Sequence, residues 1–193
     1  STIVVVDFDA KILANGIKLH KPSVVAEYAN NRIAPDLFAF EIRNGGMKYG
    51  NCLAAPERNN HGFATISKLK EIYHNIYREE RAKLWMEEKT DKLGWHTNAA
   101  TKPRMMHELR TVINEHLLNV PSNATIRELR TYSSNDLNAY HTAEEDEGTH
   151  WDRIIALAIC WQMRGQATPS QKWEINNEKS ETEFNKHALF NEL

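Results

Sequence analysis

The sequence is poor in the features that would settle its class at once. It has only two cysteines, Cys52 and Cys160, and both sit in apolar runs. A disulfide scaffold is therefore excluded, and reduced core cysteines of an intracellular protein are expected. No apolar run approaches the roughly 20 residues that a membrane helix needs. No basic stretch leads into an apolar one at the N-terminus, so no secretory signal is read there. No glycine-rich phosphate loop occurs, which argues against an ATPase. Charge of one sign is lacking too: 24 Lys and Arg face 26 Asp and Glu, a formal net charge of -2. Binding to nucleic acid must then come from a local patch and not from the global balance. With 193 residues, 41% of them hydrophobic, the chain has enough material for one core of ordinary size.

What is present reads as alternating strands and helices. Thr2-Ile3-Val4-Val5-Val6 is a β-branched strand that starts almost at the first residue. That abruptness suggests a domain excised from a longer protein. Asn15-Gly16 is a hairpin signal, and Ser23–Tyr28 is a second strand, expected to pair antiparallel with the first. Pro35-Asp36 starts a helix with Leu37, Phe38, Phe40 and Ile42 on its apolar side, ended or loosened at Gly45-Gly46. Asn51-Cys52-Leu53-Ala54-Ala55, between Gly50 and Pro56, reads as a buried central strand. Phe63, Ile66, Leu69, Ile72, Tyr73 and Ile76 follow at spacings of three and four, an amphipathic helix.

The region from Lys83 to Trp95 reads as a hairpin turning near Thr90-Asp91-Lys92. Thr101-Lys102-Pro103 opens another helix, with Thr101 as N-cap and a stripe of Met105, Met106, Leu109, Val112, Ile113, His116 and Leu117. A short element carrying Ile126 and Leu129 begins at Pro121-Ser122, and a weak strand is possible over 131–142. Glu144 to Glu147 form a solvated acidic loop. Thr149 to Arg164 is a strong helix closed by Gly165. Beyond Gly165 the chain is polar, with a weak helix expected near Phe184 to Leu193. These readings give one domain over 1–165 and a flexible polar tail over 166–193. The class is α/β, with a mixed sheet flanked by helices.

Two constellations carry chemistry. In Pro56-Glu57-Arg58-Asn59-Asn60-His61-Gly62 a short strand hands five polar residues to the start of a helix. Ligands collect at the carboxyl ends of strands in α/β sheets, so Glu57 is placed to project a carboxylate into a crevice. The plain alternative is a surface turn. In Gly148-Thr149-His150-Trp151-Asp152 a histidine and an aspartate open the last strong helix. Thr149-x-x-Asp152 matches a capping box, which by itself explains Asp152. The other reading is that His150 and Asp152 hold a divalent cation together with Glu57, since hard cations take carboxylate oxygens. Basic residues concentrate at Arg78, Arg81 and Lys83, at Lys89 and Lys92, and at Lys102 and Arg104, either as solvated faces or as a strip for phosphates.

Taken in order, Val24-Val25-Ala26-Glu27, Ala34-Pro35-Asp36, Glu57 through Gly62, Gly94-Trp95-x-Thr97, Thr101-Lys102-Pro103 and His150-x-Asp152 resemble the C-terminal nuclease domain of the large terminase subunit of tailed bacteriophages. The resemblance spans about residues 1–165. It implies an RNase H-like fold, a central mixed β-sheet flanked by α-helices. It also implies an endonuclease that cuts double-stranded viral DNA during packaging by metal-assisted phosphodiester hydrolysis. Two ions, Mg²⁺ or Mn²⁺, are expected. Glu57 and Asp152 carry over as the catalytic carboxylates and, with His150, as metal ligands. Arg58, Asn60, Lys102 and Arg104 are the implied DNA contacts.

The implied partners are double-stranded DNA, the terminase ATPase domain upstream in the same protein, the small terminase subunit and the portal. No membrane is involved, and the implied location is the host cytoplasm at the procapsid portal. The chain departs from the family in two places. Trp151 stands where the family's His-Asp-Asp motif has its first acid. The family's first acidic position would precede Thr2, and its strand has no counterpart; Asp7 and Asp9 are the candidate substitutes, but the resemblance places them on the family's second strand. Glu57 and Asp152 are a thin ligand set, so this chain is expected to be a weak or inactive nuclease. A truncated domain that only docks on DNA or on partner subunits, or another RNase H-like nuclease such as a resolvase, would fit the same pattern less closely.

Overall fold

A computed structural model describes residues 1–8, 21–83, 86–132, 151–167 and 191–192. The chain is mixed α/β. The described residues form five helices and small sheets, in the order β1 (Thr2–Asp7), β2 (Ser23–Ala29), α1 (Pro35–Lys48), α2 (Asn60–Ile72), β3 (Arg78–Lys83), β4 (Met86–Leu93), α3 (Thr101–Asn114), α4 (Asn123–Thr131), α5 (Asp152–Met163) and β5 (Asn191–Glu192). The strands fall into a three-stranded sheet ordered β1-β2-β5 and a separate two-stranded sheet, β3-β4. Two compact units result. One takes Asn30–His96 and the other takes Thr2–Ala29 and Thr97–Arg164.

In the unit built on β1 and β2, the two strands run antiparallel from Thr2↔Ala29 to Asp7↔Ser23, as the β-branched pattern requires. A register shift between Val5 and Val6 marks a bulge. Helix α5 packs on β1, and α3 and α4 pack on α5. Leu109, Met105, Ile154, Leu157 and Val24 are almost fully withdrawn from water and form the centre of this core. Cys160 lies in the same layer, and its thiol donates to the Val4 carbonyl at 3.3 Å.

Two expectations fail in this unit. The apolar stripe of α3 stops at Val112, because the helix ends at Asn114 and His116 turns away with a φ of 54°. Leu117 is consequently 46% exposed. Thr101 is the first helical residue and not the N-cap; Ala100 holds that position. The capping side chain is Asn98, whose Oδ1 accepts from the Ala100 and Thr101 amides at 2.8 and 2.9 Å. Thr101 returns the contact by accepting from the Asn98 amide at 2.9 Å.

In the other unit α1 packs against α2. Helix α1 does not break at Gly45-Gly46 but runs through to Lys48. The reason is packing. A Cβ on Gly46 would collide with the Tyr73 ring and hydroxyl. That hydroxyl donates to the Cys52 carbonyl, and the Cys52 amide donates to the Gly46 carbonyl at 3.1 Å. Gly46 is where the Tyr73 side chain meets α1, and this packing outweighs the helix-weakening tendency of Gly. The helix also buries Ala39 and Ile42 rather than Leu37 and Phe40, which remain exposed.

The segment 51–55 is not a strand. It makes isolated parallel bridges, Ala54↔Ile76 and, just beyond, Glu57↔Trp95. Pro56 has no N–H to donate, so a continuous ladder cannot pass through it. The hairpin begins at Arg78 rather than Lys83. Lys83 pairs with Met86 and Thr90 lies within β4, so the hairpin does not turn near Thr90.

Helix α5 begins at Asp152 and is followed by a 3₁₀ turn over Arg164–Gln166, so Gly165 continues the winding instead of closing it. Asn191–Glu192 is strand rather than helix. The turn at Asn15-Gly16, the acidic loop, the weak strand beyond Tyr132, and most of the polar tail lie outside the described residues. Among the described residues no helix is long and apolar enough to cross a membrane.

The division of the stripe on α3 gives a direct test. Leu109→Ala is expected to cost about 2–5 kcal/mol of unfolding free energy, the usual cost of emptying a buried leucine site. Leu117→Ala is expected to cost less than about 0.5 kcal/mol, as for exposed positions. Urea denaturation of both variants measures this, and equal costs would contradict the helix end at Asn114.

Candidate functional site

Glu57 sits where an irregular segment meets α2. Its flanking backbone is clamped on Trp95: the Trp95 amide donates to the Pro56 carbonyl at 2.9 Å, and the Arg58 amide donates to the Trp95 carbonyl at 2.6 Å. Trp95 reaches that position because Gly94 takes a φ of 81°, and a Cβ there would press on the Pro56 carbonyl. Beyond Glu57 the chain turns sharply into α2.

Asn59 is the N-cap of α2. Its Oδ1 accepts from the Gly62 amide at 2.8 Å, satisfying one of the free amides at the helix start. Its Nδ2 donates to Glu57 Oε2 at 3.1 Å. One side chain therefore caps the helix and holds the carboxylate. The negative charge lies beside the positive end of the α2 dipole, a favourable arrangement. Gly62 completes the turn, since a Cβ on it would collide with the Glu57 carbonyl oxygen.

Arg58 points away from this task. Its side chain is only 9% exposed and pairs with Glu79 of β3 at 2.8 Å. The hydrogen bond from Arg58 holds the Glu79 carboxyl below the usual carboxylate range, with the Arg58, Lys92 and His96 charges acting the same way against burial. Tyr77 and Trp95 pack tilted rings at 5.7 Å in the same unit. Cys52, also in this unit, is no nucleophile: burial pushes its thiol up to about 11.

Asp152 belongs to the other unit. It is the first residue of α5 and is exposed. The expected capping box is not what starts this helix. The N-cap is Trp151, with no side-chain cap of its own, and Asp152 stands one position after it rather than three. The Trp151 ring packs edge-on against Tyr132 at 5.3 Å.

The capping oxygen arrives from α4. Glu128 Oε2 accepts from the Arg153 and Ile154 amides at 2.9 and 3.2 Å. Its Oε1 accepts from Arg153 Nη1 at 2.9 Å. Arg153 also faces Glu27, with Nε 3.5 Å from Oε2. Glu27, buried on β2, accepts hydrogen bonds from the Ser122 and Thr125 hydroxyls of the α4 N-terminus.

The remaining sequence candidates are dispersed. Lys102 lies in the first turn of α3, half-buried, and Arg104 is exposed and pairs with Glu108 at 3.2 Å along the same helix. Both share a unit with Asp152, whereas Arg58 shares one with Glu57. His150 and the side chain of Asn60 lie outside what the structure describes. Among the described residues no group of three or more His, Cys, Asp or Glu side chains stands together as a metal cage.

Sequence reasoning missed Asn59, Glu128, Arg153 and Glu27. Asn59 had a legible signal, an Asn three residues ahead of a helical Gly. The others had none, since their partners lie 25 to 126 positions away in the chain. Comparison with protein-family models and with curated proteins returns no match.

Two predictions follow from this geometry. Gly62→Ala must push the Glu57 carbonyl aside, and it is expected to destabilise the protein by about 1–3 kcal/mol, the usual range for overpacking, in urea titration. Conservative Glu79→Gln tests the ion pair. Glu79 is more acidic folded than unfolded, so the pair stabilises the fold above the ordinary Glu range and this contribution is lost as pH falls through the lowered folded value. The stability gap between wild type and Glu79→Gln is therefore expected to be widest near neutral pH and to close on acidification. A gap that does not change with pH would contradict the pairing.

Proposed function

We propose that this chain is the nuclease domain of a terminase-like packaging protein, an RNase H-like, metal-dependent endonuclease acting on double-stranded DNA. The observation that carries the reading is the built turn at Glu57. A carboxylate is held by the N-cap Asn59, in a loop whose backbone is clamped on Trp95 and which only Gly62 permits. A carboxylate held in this way is preoriented, as a metal-holding group has to be. The order of segments that resemble the family, with Asp152 opening α5, supports the same conclusion.

Glu57 and Asp152 offer hard oxygen donors, which suit Mg²⁺ or Mn²⁺. When bound, such ions supply Lewis-acid stabilisation of the phosphate and an activated water. The chain's own residues do the rest. Glu57 is oriented by Asn59, and Asp152 is presented at the first turn of α5, with His150 beside it in sequence. Lys102, Arg104 and Asn60 would bind phosphates without reading bases. Arg58 would join them only by giving up Glu79. Two carboxylates are fewer than two ions normally require, so this chain by itself would cut weakly. DNA-linked partners of the same apparatus, the ATPase domain, small subunit and portal, belong to the proposal and not to the observations.

The test is cleavage of supercoiled plasmid in Mn²⁺ by this chain and by a form extended upstream by about 40 residues, enough for one strand and its turn. The extended form is expected to cut, this chain to cut far less, and Glu57→Ala or Asp152→Ala to lower the rate at least a hundredfold, as loss of a metal-holding group does. If both forms are folded and neither cuts, the nuclease reading is wrong and a docking domain takes its place.

A further inference from the structure

We propose that Glu128 is a positioning residue for Asp152, acting as the N-cap of α5 from another helix. The inference rests on the proposed function for its consequence, since Asp152 matters only if it holds a metal. The cap itself stands on geometry alone.

The first amides of a helix have no partner within it and need an acceptor. Trp151, at the N-cap of α5, supplies none from its side chain. Glu128 supplies one instead: a single carboxylate oxygen takes the Arg153 and Ile154 amides, and the second oxygen takes the Arg153 guanidinium. These two amides belong to the two residues after Asp152, so the bonds fix the backbone turn on which the Asp152 carboxylate is carried. An acid is also favoured there by the helix dipole.

Glu128 is itself held. Arg153 bridges it to Glu27 on β2, and Glu27 is bonded to Ser122 and Thr125 at the start of α4, the helix that carries Glu128. The loop closes on itself: β2 fixes α4, α4 caps α5, and Arg153 of α5 pairs with both. The backbone turn that carries Asp152 is thus held from α4 by the Glu128 carboxylate.

The experiment uses the intact 193-residue chain and its Glu128→Ala and Glu128→Gln variants, with two readouts. The first is amide hydrogen exchange at Arg153, Ile154 and, as an internal control, Leu157. The second is line broadening of the Asp152 signal on titration with Mn²⁺ alone, which needs no cleavage. Loss of the cap in Glu128→Ala is expected to speed exchange at Arg153 and Ile154 about tenfold, the factor that follows from a typical cap, with Leu157 unchanged. The Mn²⁺ concentration for half-maximal broadening is expected to rise about tenfold, as for loss of a residue that orients a metal ligand. Glu128→Gln keeps an oxygen acceptor and is expected to recover most of both.

Unchanged exchange at both amides overturns the proposal. Faster exchange with an unchanged Mn²⁺ midpoint overturns the positioning role. If Mn²⁺ leaves the wild-type Asp152 signal untouched, the metal reading of Asp152 fails and takes the positioning role with it, and the exchange data separate that result from a failed cap.

Discussion

The unit that contains Asp152 depends on one buried charge arrangement. Glu27 is almost completely removed from water on β2, and a carboxylate there is costly unless every lone pair finds a donor. Ser122 and Thr125 supply two donors and Arg153 faces it as a third. Arg153 is shared with Glu128, so two carboxylates divide one guanidinium. The members share partners, so the loss of one weakens the contacts of its neighbours. Its consequence is spatial: three elements far apart in sequence have their relative placement set by directional bonds, where apolar packing alone would tolerate sliding.

The other unit solves a similar problem with backbone. The Glu57 turn is held by main-chain bonds to Trp95, by the Asn59 cap and by the absence of a side chain at Gly62. Arg58 is turned inward onto Glu79, which stiffens the approach from the β3 side. Both acidic candidates are therefore presented at helix starts, where free amides and the helix dipole favour negative charge. In one case the acid's near neighbour in sequence caps the helix; in the other the cap comes from a distant helix.

Much of the fold was legible locally. The β-branched runs at Thr2–Val6 and Ser23–Tyr28 became an antiparallel pair, and Ile66 with Leu69, and Met105 to Val112, became buried helix faces, although the first stripe ends with α2 at Ile72 and Tyr73 and Ile76 are extended beyond it. The misreadings have physical causes. Gly45-Gly46 looked like a helix stop, but the Tyr73 ring occupies the space that a side chain at Gly46 would fill. Asn51–Ala55 had the composition of a central strand, but Pro56 interrupts the ladder. Thr149-x-x-Asp152 had the letters of a capping box, yet the helix begins at Asp152 and takes its cap from Glu128.

By itself the sequence determined the alternation of strands and helices, the two acidic candidates and their place at helix starts. These follow from periodicity and from local chemistry within a few residues, where chain connectivity fixes who meets whom. Only the tertiary structure decided what holds each candidate. The partners of Glu27, Glu128 and Arg58 lie from 21 to 126 positions away, and a charged residue reads the same in sequence whether it is solvated on a surface or locked in a buried pair. Burial and long-range hydrogen bonding make that distinction, and neither is a property of a short stretch of chain.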